Sequence, residues 1–170
     1  GLGDVYKRQV LVTFDSPTAT TNAVDVLAGY SPAAADMGTP RDIDIDVRYD
    51  GEDVDALATS LGMSPRELIE WHTSTTWVAA FGGFAPGFTY CVPEDASRAL
   101  TIPRRDSPRT AVPAGAVALA GEFSAVYPRT SPGGWQLIGT TATPMWDSTA
   151  TPPALVAPGE GPVRALSLIH

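Results

Sequence analysis

Beyond residue 82, proline and glycine cut the chain so often that no long helix can be fitted to it. Sixteen prolines and sixteen glycines occur in 170 residues. The densest part is Thr101 to Thr141, TIPRRDSPRTAVPAGAVALAGEFSAVYPRTSPGGWQLIGTT. Proline fixes φ and removes a donor, while glycine admits backbone that a side chain forbids. Arg104, Arg105 and Arg109 are therefore presented on a loop shaped by Pro103 and Pro108. A short apolar strand follows at Ala116 to Ala120, then a turn with Glu122, then Tyr127-Pro128. Ser131-Pro-Gly-Gly134 launches Trp135 to Gly139. Short strands near Val117, Val126, Gln136 and Met145 between such turns predict a β-barrel or closed β domain. Arginines and a tryptophan at its loop edges suit an anionic or planar ligand.

The front half reads differently. Val10 to Phe14 is a β-rich run ended by a turn at Asp15-Ser-Pro17, and Thr20 to Ala28 is a short helix closed by Gly29. Ser31 to Arg41 reads as a linker. Ile43, Ile45, Val47 and Tyr49 alternate with Asp44, Asp46 and Arg48, the pattern of a half-buried strand. Asp53 is positioned to cap a helix carrying Val54, Leu57 and Leu61 and ended by Gly62. Ser64, Pro65 and Glu67 make a capping box for a further helix, with Leu68 and Trp71 on one face and His72 at its end. Trp77 to Phe81 reads as a strand, and Ser148 to Gly161 as a proline-rich loop.

Composition narrows the function. A formal net charge of −8 disfavours nucleic acid as a partner. No apolar run of membrane-spanning length is present, and a single cysteine, Cys91, excludes an internal disulfide framework; a cytoplasmic location is expected. Gly1 to Gln9 and Leu166 to His170 read as non-native tails, which leaves the remaining chain with no lysine and one histidine.

The residues leave several roles open. With Lys7 the sole lysine, a lysine-bearing phosphate loop is excluded. Gly82-Gly-Phe-Ala-Pro-Gly87 is either a shaped turn packing Phe84 and Phe88 or a phosphate cradle. Arg104, Arg105 and Arg109 either grip an oxyanion or, as Arg105 with Asp106 or another acid, pair on the surface. His72 is either a helix-end histidine favoured by the dipole or a general base. Glu122 either orients a water or neutralises arginines. Trp135 either packs or walls a pocket, with Gln136 supplying amide contacts and Tyr90 and Tyr127 hydroxyls.

The segments Phe84-Ala-Pro-Gly-Phe-Thr-Tyr90, Pro103-Arg-Arg-Asp-Ser-Pro-Arg109, Val112-Pro-Ala-Gly115, Ala120-Gly121, Tyr127-Pro128 and Ser131-Pro-Gly-Gly-Trp-Gln-Leu-Ile-Gly139 resemble one family, in order and spacing. It is the B-subunit family of the bacterial ATP-dependent 5-oxoprolinase, also labelled allophanate hydrolase subunit 1, carboxyltransferase domain or sporulation-kinase inhibitor. The resemblance covers about Val10 to Arg164. It implies an α+β chain: a small α/β domain over 10–76, incomplete at its start, followed by a cyclophilin-like β-barrel over 77–165 without most of its last strand.

The same resemblance implies the reaction: opening of 5-oxoproline to L-glutamate with ATP and Mg²⁺, the sparse acid/base set pointing to partners that hold part or all of that site. It also implies two partners, an A-type component and a barrel-like C-type component that forms a heterodimer with this chain. The catalytic candidates that the residues offer for that reaction are His72, Arg104, Arg109 and Glu122. Its substrate or nucleotide contacts are Phe84, Pro86, Gly87, Tyr90, Arg105, Tyr127, Gly134, Trp135 and Gln136, with no metal ligands. Inhibition of a histidine kinase by direct binding, or a place in a urea carboxylase or allophanate assembly, are the alternatives.

Overall fold

The computed structural model describes residues 4–6, 9–11, 14–29, 41–158 and 162–167. The chain divides into two units, residues 1–38 and 39–170.

In the first unit, β1 (Asp4–Tyr6) pairs antiparallel with β2 (Gln9–Leu11), and α1 (Pro17–Ala28) follows. The strand expected over Val10 to Phe14 is thus shorter and starts earlier, and Phe14 lies outside it. The turn expected at Asp15-Ser-Pro17 is the start of the helix: Ser16 Oγ accepts from the Ala19 N–H, and Pro17 takes the first helical position. A hydroxyl cap followed by proline favours initiation as readily as a turn, which explains the difference. The expected linker lies, up to Pro40, outside the described residues.

In the second unit the elements run β3 (Ile43–Val47), α2 (Val54–Ser60), α3 (Pro65–Ser74), β4 (Trp77–Gly82), β5 (Thr89–Pro93), a 3-10 turn (Ala96–Arg98), β6 (Arg109–Val112), β7 (Ala116–Ala120), β8 (Phe123–Val126), β9 (Ser131–Gly133), β10 (Gln136–Thr140) and β11 (Val163–Ser167). A seven-stranded sheet has the order β10-β7-β8-β5-β4-β11-β3, and β6 and β9 form a separate pair. The sheet curls until its two edges meet. Arg48, just past β3, and Thr140, at the end of β10, exchange backbone hydrogen bonds of 2.8 Å in both directions. The result is a nearly closed, barrel-like sheet with helices beside it, the α+β arrangement expected. Closure satisfies edge donors and acceptors that an open sheet would leave bare.

Local sequence explains most of this. β3 buries Ile43, Ile45 and Val47 and exposes Asp44 and Asp46. In α3 both halves of the Ser64–Glu67 capping box form. The helix differs from expectation at its far end: it runs past His72 to Ser74, and its fully buried face is Leu68 with His72, four residues apart. Met145 belongs to no strand, whereas β5, β6 and β9 were not anticipated. β11 lies parallel to β3, with Leu166 and Ser167 opposite Asp46 and Val47.

β7 is buried along its whole length because both faces of the sheet are covered. On one face Val117, Leu119 and Ile138 pack with Ile43, Val47, Leu57, Leu68 and Trp77. This core spans residues on both sides of the 76/77 boundary drawn from the sequence. On the other face Ala116, Ala118, Ala120 and Ala125 meet Phe88, Val112, Tyr127 and Trp135. The small alanines leave room for the large rings opposite.

Candidate functional site

Asp53 stands at the N-terminus of α2, yet its side chain makes no cap hydrogen bond there. It points instead across the chain. Gly51 allows the close approach, since a Cβ there would collide with the backbone of Leu137 and Ile138. Asp53 N–H then donates to the Leu137 carbonyl at 3.1 Å, and Asp53 Oδ2 accepts from the Leu137 N–H at 2.7 Å. This double latch fixes the carboxylate against β10.

Two of the three loop arginines close on that carboxylate. Arg105 Nη1 donates to Asp53 Oδ1 at 2.7 Å, and Arg109 Nη2 lies 2.9 Å from both carboxylate oxygens. Arg109 Nε donates to Glu52 at 2.7 Å, and its Nη1 reaches the Trp135 carbonyl at 3.4 Å. The side chains of Asp53 and Arg109 are 7% and 14% exposed, so this pair is buried, with the exposed Glu52 and the half-exposed Arg105 at its edges. Burial opposes the charge on Arg109, but hydrogen bonds to Asp53 and Glu52 outweigh it and raise the pKa above its usual value. Arg105 is therefore paired not with Asp106 or a surface acid but with a buried one.

The cluster organises the loop. Arg105 N–H donates to the Gly134 carbonyl at 2.9 Å, and a Cβ on Gly134 would come into ordinary contact with Pro108. Gln136 Nε2 donates to the Pro103 carbonyl at 2.9 Å. Arg104 is the exception: it is exposed and makes no hydrogen bond or ion pair among the described residues. It lines an open groove of about 480 Å³ with Leu57, Arg105, Asp106, Ser107 and Gln136. Charge in the ion cluster balances between Asp53 with Glu52 and Arg105 with Arg109, so Arg104 is the loop's uncompensated guanidinium.

Beside the cluster lies an aromatic wall. Trp135 packs edge-on against Phe88 at 5.5 Å and Tyr90 at 5.5 Å, and Phe88 against Tyr127 at 5.2 Å. Tyr127 pKa is raised by burial and by Tyr90, against the opposing charges of Arg104 and Arg109. Phe84 sits at φ 67°, in the left-handed region, where the Ala85 N–H bridges back to the Gly83 carbonyl at 2.7 Å. A phenylalanine there is strained, and the turn holds its ring 56% exposed, edge-on to Phe88 and Tyr127. Gly87, at φ 80°, lets the turn close against Met145 and Trp146, and Pro86 is exposed at its crest.

His72 lies apart, among the residues of the other core. Its Nδ1 bonds the Tyr49 hydroxyl at 2.7 Å and its Nε2 the Ser124 hydroxyl at 2.9 Å, with the ring 2% exposed. Burial pushes its pKa down to about 3, so it is neutral at ordinary pH. With Ser124 and Cys91 it borders a cavity of about 40 Å³ lined mostly by apolar side chains. Burial likewise pushes the Cys91 thiol up to about 12. Glu122 is exposed in the β7–β8 turn and makes no hydrogen bond or ion pair among the described residues.

The structure thus gathers Arg104, Arg105, Arg109, Gly134, Trp135 and Gln136 around the loop, and joins Phe84, Tyr90 and Tyr127 to Trp135 through Phe88. His72 and Glu122 stand outside that group. Asp53 and Glu52 are the additional members. Asp53 reads locally as a cap; its partners lie 52 to 84 residues away and leave no local pattern.

Similarity to known proteins places the chain. The B subunit of 5-oxoprolinase from Escherichia coli O157:H7 is 42% identical over 125 residues, covering 71% of this chain and 56% of that protein. The corresponding 5-oxoprolinase protein of Bacillus subtilis is 40% identical over 123 residues, 71% of this chain and 50% of that one. The chain therefore spans about half the length of these curated relatives. The crystal structure of a conserved uncharacterized protein from Pyrococcus horikoshii superposes with a TM-score of 0.68 at 31% identity, over 89% of this chain and 65% of that one. The family described as carboxyltransferase domain, subdomain C and D, matches residues 6–156, and the chain belongs to it.

Proposed function

We propose that this chain is part of an ATP-dependent amidohydrolase that opens 5-oxoproline to L-glutamate, acting with an A-type component and a barrel-like C-type component. The observation that carries this reading is 38–42% identity to relatives named as the B subunit of 5-oxoprolinase, each aligned over 71% of this chain. The site geometry is compatible with it. Arg104 offers a charged, unpaired donor for a carboxylate, and the exposed Phe84 ring, backed by the buried Phe88, Tyr127 and Trp135, offers an apolar contact.

The residues present do not fit Mg²⁺ with a triphosphate on this chain alone. No group of three or more His, Cys, Asp or Glu suited to a metal occurs among the described residues, and the groove sets one unpaired guanidinium, Arg104, in the same lining as the Asp106 carboxylate. In this reading ATP and Mg²⁺ are therefore bound by the partner components. His72, neutral and hydrogen-bonded on both ring nitrogens, holds α3 to the barrel wall. Arg109 and Asp53 shape the loop that presents Arg104.

Reconstitution tests this reading. The chain, combined with its A-type and C-type partners, is expected to release glutamate from 5-oxoproline only when ATP and all three proteins are present. Release that does not require this chain contradicts the proposal. Stable capture of a histidine kinase without glutamate release would reassign the Arg104 loop and the exposed Phe84 to an interface.

A further inference from the structure

We infer that the groove between α2 and the Pro103–Ser107 loop seats a small carboxylate that also carries an N–H donor, the chemistry of a lactam acid or an α-amino acid. The groove is lined by charges of both signs. Arg104 is unpaired, and Arg105 Nε is a buried donor with no hydrogen-bond partner. A buried orphan donor is costly, and an arriving oxyanion would give it an acceptor after a small shift of the loop. Asp106, of opposite charge, also makes no hydrogen bond or ion pair among the described residues. Gln136 has committed its Nε2 to the Pro103 carbonyl, which leaves its Oε1 as an acceptor. The Ser107 hydroxyl also makes no hydrogen bond among the described residues, and Leu57 and Ala56 supply apolar lining.

This donor set discriminates between ligands. A carboxylate meets Arg104 and Arg105, and an N–H on the same small molecule meets Asp106 or Gln136 Oε1. A polyphosphate gains one free cation and meets the Asp106 carboxylate, which repels it. The identity of the ligand as 5-oxoproline rests on the function proposed above; the need for both an anionic group and an N–H rests on the groove's lining.

The test is titration calorimetry of the chain with 5-oxoproline, L-glutamate, cyclopentanecarboxylate and inorganic phosphate. The same titrations are run on Arg104→Ala and Asp106→Asn. Both side chains are exposed and unpaired, so both variants are expected to unfold at the wild-type urea midpoint. Wild type is expected to bind 5-oxoproline or glutamate more tightly than phosphate. Arg104→Ala should weaken every carboxylate by about 10- to 100-fold, the usual weight of a charge-assisted hydrogen bond. Asp106→Asn should weaken the N–H-bearing ligands relative to cyclopentanecarboxylate, which loses no hydrogen bond, and should tighten phosphate most.

Phosphate binding tighter than either N–H acid in wild type, unchanged affinities in Arg104→Ala, or no binding of any of the four overturns the inference. The two proposals fail separately. A reconstituted enzyme that works with wild-type KM in both variants removes the groove and keeps the reaction. Binding of glutamate that depends on Arg104, with no ATP-dependent lactam opening, keeps the groove and removes the reaction.

Discussion

Arg109 grips Asp53 with one nitrogen lying 2.9 Å from each carboxylate oxygen, across 56 residues of chain. That contact joins the start of α2 to the start of β6, and Asp53 extends it to β10 through the Leu137 N–H at 2.7 Å. Three segments distant in sequence are thereby fixed by one carboxylate. The arginine loop consequently has a frame, Arg105 and Arg109, and a free member, Arg104.

The frame should be felt in stability. Asp53→Ala removes an acceptor shared by two guanidinium groups and a buried N–H, and Arg109→Ala leaves the carboxylate with Arg105 as its one cation, beside the Leu137 N–H. Each is expected to cost about 3–5 kcal/mol, as for one partner removed from a buried pair. Urea midpoints of the two single variants and the double variant measure it. The double variant should cost less than the sum, because the second change removes a charge already stranded.

His72 should make stability depend on pH. Its folded pKa is about 3 against an ordinary value of 6.5. Between those values the unfolded chain takes up a proton that the folded chain refuses, so stability falls as pH drops through that range. The expected slope is about 1.4 kcal/mol per pH unit, vanishing above about pH 7. Glu67, Asp95 and Asp147, whose pKa values are lowered by hydrogen bonds, act in the same direction but at lower pH. Unfolding at pH 7 and pH 5 should therefore show a smaller loss in His72→Gln than in wild type.

Phe84 and Phe88 should separate strain from packing. Phe88 is 2% exposed and central to the aromatic wall, so Phe88→Ala is expected to cost about 3–5 kcal/mol. Phe84→Gly relieves a left-handed phenylalanine and gives up only an exposed ring, so thermal unfolding should show no loss of stability. If the ring serves a ligand or partner, the same variant loses activity while keeping its fold.

Gly139 should guard the barrel seam. A Cβ at this position would collide with the Arg48 carbonyl, which accepts the closing hydrogen bond from Thr140. Gly139→Ala is expected to cost about 1–3 kcal/mol. Hydrogen exchange should show the Arg48 and Thr140 amides losing protection before those of β7.

Much of this architecture was legible where the signal is local. The alternation of Ile43 to Val47, the Ser64–Glu67 capping box and the apolar run at β7 each settle their own conformation within a few residues. The barrel itself followed from proline and glycine punctuation. What stayed hidden was long-range. Asp53 fits the pattern of a cap, and nothing beside it reveals that its partners are Arg105, Arg109 and Leu137. His72 looked like a helix end because the sequence does not show that Tyr49 and Ser124 meet it inside the barrel. Ser16-Pro17 is compatible with both turn and helix start, and only the following turn of α1 decides between them.

The division of the arginines is tested most directly by Arg104→Ala in the reconstituted complex, with the urea midpoint and the steady-state KM for 5-oxoproline measured on the same preparation. The account predicts a wild-type midpoint with KM raised about tenfold or more. A wild-type KM, or a midpoint lowered as far as in Arg109→Ala, would contradict it.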